Sequence, residues 1–125
     1  MKAVVIGARI LLGLIFLIFG LNGFLHFIPA PPLTGLVAEF MDVFAKSHWL
    51  LFVAAIQVIA GALLLIDRYV PLAIALLAPV LANILVFHIT MQPQGLPPGV
   101  LATVLWVIVA WPMRTRFAPI FAEKA

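Results

Sequence analysis

Four long apolar runs separated by short polar breaks dominate the chain. The first covers residues 3–27, with Arg9 near its start and an uncharged stretch from 10 to 27 long enough to cross the hydrocarbon core of a bilayer. It exceeds the h-region of a signal peptide and is followed by further spans, so it reads as a membrane helix. The prolines of "IPAPPLT" end it. Between 33 and 46 the apolar positions are Leu33, Leu36, Val37, Phe40, Met41 and Phe44, with Glu39, Asp42 and Lys46 on the other side. That i, i+3, i+4, i+7 stripe predicts a short amphipathic helix, lying at the interface or folded back over the bundle. A second span is predicted over 48–66, opening near Trp49, a residue suited to the aromatic belt. "DRYVP" is a tight polar turn, the third span covers 71–90 with Pro79 inside it, and "QPQGLPPG" is an uncharged loop. The fourth span covers 97–113 and includes Trp106 and Trp111, before a basic interfacial tail. The predicted fold is all-α: one integral-membrane four-helix bundle over residues 1–125, with the amphipathic helix between the first and second spans.

Composition agrees with the pattern. Of 125 residues, 66% are hydrophobic and 9% charged, and the mean hydropathy is +1.31. A water-soluble core could not hide that much apolar surface in so short a chain. The absence of cysteine excludes disulfides, CxxC redox chemistry and thiolate metal sites, so any redox role needs a borrowed cofactor or partner. A net charge of +3 invites a nucleic-acid reading, but the basic residues flank apolar spans and form no basic and aromatic surface, so the expected partner is the lipid bilayer.

Charge then orients the chain. Four spans put both termini on one side, with Lys2, Arg9, Arg68, Arg114, Arg116 and Lys124, and leave only Lys46 on the other. By the positive-inside rule the termini are cytoplasmic, which in a bacterium makes this a multi-pass inner-membrane protein.

On that topology His26, His48 and His88 all lie toward the outer end, with Asn22, Gln57 and Asn83 at similar depth. Asn22 and His26, at i and i+4, share a helix face, and Gln57 shares one with Ala54 and Gly61. His88 lies roughly 140° around its helix from Asn83 and need not join the same cluster. Asn22, His26, Gln57 and Asn83 are the candidate ligand-binding residues, able to hold carbonyl oxygens in a greasy cleft. The plainer reading makes the amides interhelical glue and the histidines interfacial. Glu39 is a candidate lid residue that could pair with His26 or His48, or it belongs to a solvated helix face. No HxxxH or HxxH spacing supports a metal site, and Ser47, the single serine, lies in no nucleophile motif. Arg9, Gly13, Phe16, Gly20, Gly23 and Phe27 recur at steps of four and three, a seam whose glycines admit a close neighbouring helix.

Two stretches, "ARILLGLIFLIFGLNGFLHFIPAPP" and "IQVIAGALLLIDRYVPLAIALLAPVLANILVFH", resemble the bacterial DoxX and DoxX-like membrane proteins. The resemblance implies a four-helix membrane protein. Some relatives are associated with thiosulfate:quinone oxidoreductase and others with membrane redox or oxidative-stress assemblies. Many relatives carry an acid before the glycine of the second span; Gln57 stands there in this chain and argues against a proton-linked role. The function expected on these grounds is an accessory subunit that binds a quinone or another small lipophilic ligand in a membrane redox system. The competing expectation is a non-enzymatic scaffold whose glycine seam and outer polar groups bind another membrane protein; a membrane redox partner or a homo-oligomer is the partner expected besides the bilayer. A transporter is disfavoured by the few intramembrane charges and the lack of an inverted repeat.

Overall fold

The computed structural model describes residues 1–125 and is all-α, with helices α1 (Lys2–Leu25), α2 (Gly35–Lys46), α3 (Trp49–Ile66), α4 (Val70–Met91) and α5 (Leu96–Ala110). Short 3-10 turns at Pro93–Gly95, Trp111–Arg116 and Ala118–Phe121 complete it. Four segments are long and apolar enough to cross a membrane: Lys2–Leu25, Trp49–Ile66, Val70–Met91 and Pro93–Arg116. The protein is a multi-pass membrane bundle, with α2 as the predicted amphipathic piece.

The order is up-down-up-down, with α1 against α3 and α5, and α4 against the same two helices. The antiparallel register of α1 and α3 is set by small residues. A Cβ on Gly61 would lie 2.6 Å from the Leu17 nitrogen and 2.8 Å from the Gly13 carbonyl, so only hydrogen fits at this crossing. One on Gly20 would meet the Ala54 carbonyl at 2.9 Å, and one on Gly23 the Ala54 Cβ at 2.6 Å. Close backbone approach replaces the hydrophobic drive that lipid cannot supply. The predicted seam is therefore filled from within the chain, by α3. It stops short of Phe27, because α1 ends at Leu25 and leaves Phe27 half exposed.

Larger side chains pack the rest. Leu12, Leu64, Ile74, Leu77 and Val109 are fully buried, within a cluster drawn from the half of each spanning helix nearer the termini. No polar or charged residue is fully buried. At the other end α2 leans on α3 and reaches α4 through Phe40, whose ring centroid lies 5.4 Å from that of Phe87. Within its apolar stripe only Val37 is fully buried, and Leu36 points away. α4 continues through Pro79 without a break.

Candidate functional site

No side-chain hydrogen bond joins the four predicted binding residues Asn22, His26, Gln57 and Asn83 to one another. Asn22 Oδ1 accepts the Ile28 N–H at 2.8 Å, and the Asn22 carbonyl accepts the His26 N–H at 2.9 Å. Both bonds close the end of α1, where His26 takes the left-handed conformation, φ 52°. The asparagine thus ties down the proline-rich exit, and His26 itself is exposed. Gln57 is half-buried on the stripe of α3, between Ala54 and Gly61, that meets α1. Asn83 is exposed, and its Nδ2 donates to the Pro79 carbonyl of its own helix at 2.8 Å.

His48 is the left-handed residue between α2 and α3, φ 65°, and His88 Nδ1 lies 3.2 Å from the Gln92 carbonyl at the end of α4. Glu39 is exposed and forms no ion pair with His26 or His48; the salt bridges are Asp42 with Lys46 and Arg9 with Asp67. The lid contact considered for Glu39 is not made, because α2 turns its apolar stripe inward and its acids outward.

Open space lies at the opposite end, beside the termini. A groove of about 640 Å³ runs between α4, α5 and the C-terminal turns, and eleven of its twelve lining residues are hydrophobic. Its volume falls within the range of small-molecule sites. Ile74, Ala75 and Ala78 form the α4 wall, Trp106 and Ala110 the α5 wall, and Phe117 and Phe121 the tail. Trp106 donates from Nε1 to the Ile74 carbonyl at 2.9 Å, bracing the two walls. Arg114, the one charged lining residue, stacks 4.5 Å from the Trp111 ring centroid and donates from Nη1 to the Trp111 carbonyl at 2.8 Å. Pro79 has no N–H, so the Ala75 carbonyl four residues earlier lacks its helical donor. The groove therefore offers one cation, Arg114, in an otherwise apolar lining.

A second cavity, of about 560 Å³, opens between the starts of α1 and α4 and the turns after α5. Arg9 reaches into it from α1, with its side chain only 14% exposed. Arg9 Nη1 donates to the Leu64 carbonyl, in the last turn of α3, and its Nε lies 3.6 Å from an Asp67 carboxylate oxygen. A cation at that helix end is favourable, since the unpaired carbonyls there carry the negative end of the helix dipole. Sequence reasoning placed Arg9 on the seam and missed this pairing. The signal was present: a charge inside an apolar span needs a partner, and the antiparallel topology brings the "DRY" turn to its level.

No family model, no curated protein and no solved structure matches the chain.

Proposed function

We propose that this protein is a bacterial inner-membrane accessory subunit that holds a small lipophilic ligand of the quinone class, with both termini cytoplasmic. The observation that carries the reading is the apolar groove between α4, α5 and the C-terminal turns. A ring with two carbonyl oxygens suits this lining: Trp106, Trp111 and Phe117 supply flat apolar faces, and Arg114 has donors to spare for one oxygen. Nothing in the lining is a nucleophile or a general base, so the groove binds and orients, and electron transfer belongs to a partner. The resemblance to DoxX-like proteins, some of them linked to quinone-using enzymes, points the same way. The glycine seam is occupied by α3, so the alternative scaffold reading rests on the outer polar groups alone.

Purification from native membrane followed by extraction should return a co-purifying quinone. The exposed wall residue Ala78, replaced in Ala78→Phe, should fill the groove and weaken added quinone at least about tenfold, equivalent to about 1.4 kcal/mol, with the fold unchanged by circular dichroism. A preparation free of quinone, whose unfolding temperature does not respond to added quinone, would remove the basis for this function.

A further inference from the structure

The Arg9 cavity has a chemistry different from that of the groove. Lys2, Arg9 and Arg116 converge on it against one carboxylate, Asp67, while Val5 and Val109 are among its apolar walls. A structural role accounts for one edge of Arg9, which ties α1 to the end of α3. It does not account for the other two cations, or for an open volume of about 560 Å³ where they meet. Lys2 and Arg116 have no salt-bridge partner, and most of the Arg9 N–H donors remain unused. Asp67 is 68% exposed, so its charge is largely screened and offsets the cations only in part. Tyr69 also lines the cavity. Arg and Lys around an apolar-walled hollow at the end of a membrane bundle match the headgroup level of a bilayer, where basic pockets between spanning helices hold anionic groups.

We propose that this cavity is a binding site for a phosphate group, carried by an anionic phospholipid or free in solution, held by Lys2, Arg9 and Arg116. Three cations suit an anion with several oxygens, with guanidinium groups donating in pairs and the lysine acting as a point charge. The apolar walls suit the glycerol and upper acyl carbons of a lipid. The site shares no lining residue with the groove, so it stands whether or not a quinone binds there.

The test uses the full chain in phosphatidylcholine nanodiscs, with and without phosphatidylglycerol, and separately with inorganic phosphate. Thermal unfolding and lipid retention in native mass spectrometry are the readouts. Phosphatidylglycerol should raise the unfolding temperature and remain bound. Lys2→Gln and Arg116→Gln, both at exposed positions, should each weaken that response about fivefold, whereas Arg68→Gln, with the same charge change at the same end but outside the cavity, should not. A response to phosphate alone, lost in the same variants, supports the site and assigns its ligand to solution. Equal weakening by Arg68→Gln would reduce the effect to general surface attraction and overturn the proposal, as would no response to either ligand.

Discussion

Four residues other than glycine have positive φ: His26, His48, Asp67 and Tyr69, each at a helix boundary. Histidine and aspartate are enriched in this left-handed region, where a short polar side chain makes local bonds and a β-branched residue is strained. Two of the three histidines thus have a conformational reason for their positions that needs no ligand. His26→Gly should keep or raise stability, since glycine adopts φ 52° without a Cβ penalty, while His26→Val should lower it by about 1–2 kcal/mol. Unfolding in mixed micelles measures both. If His26→Gly instead abolished ligand binding in a folded protein, the imidazole would have a role beyond ending α1. The polar character of these positions was legible in the sequence. Their backbone conformation was not, because an i, i+4 pair looks the same whether its side chains face a pocket or close a helix.

Among elements, α1 and α3 form the tightest pair, and the glycines explain how. At Gly61 the obstacle to a side chain is the backbone of α1 itself, which no rotamer change relieves. Gly61→Ala should therefore push the helices apart and cost about 1–3 kcal/mol. Gly7→Ala, on the same α1 but with nothing within 4 Å of its new Cβ, should be neutral or slightly stabilising. Equal losses from the two variants in an unfolding titration would argue against the close crossing. The seam Gly13, Phe16, Gly20, Gly23 was readable as a period of hydrophobic and small positions, but a period names a face and leaves the partner open. Antiparallel contact with α3 of the same chain, through Gly61 and Ala54, selects that partner. The amphipathic α2 was equally readable, while its resting place on α3, with Phe40 against Phe87, depends on aromatic contacts between distant segments.

Across the whole molecule the large buried side chains gather in the half nearer the termini, and small residues close the other half. The two cavities also lie at the termini, between the packed core and the turns that follow α5. The chain has no cysteine, so Lys46→Cys and Lys124→Cys each introduce a unique label. In intact spheroplasts a membrane-impermeant maleimide should label Lys46→Cys, and should reach Lys124→Cys only after permeabilisation. The opposite result would invert the orientation and place both cavities outside. Sequence alone determined that the protein is helical and membrane-spanning, where its helices begin and end within a few residues, and that its positive charge gathers at one end. These follow from local hydropathy, proline placement and charge, which act along the chain. Only the tertiary structure decided that Asn22, Gln57 and Asn83 do not bond one another, that Arg9 meets Leu64 and Asp67, and that the groove and the Arg9 cavity lie beside the termini. Each depends on which faces of separate helices turn toward each other, and that is set by packing across the bundle.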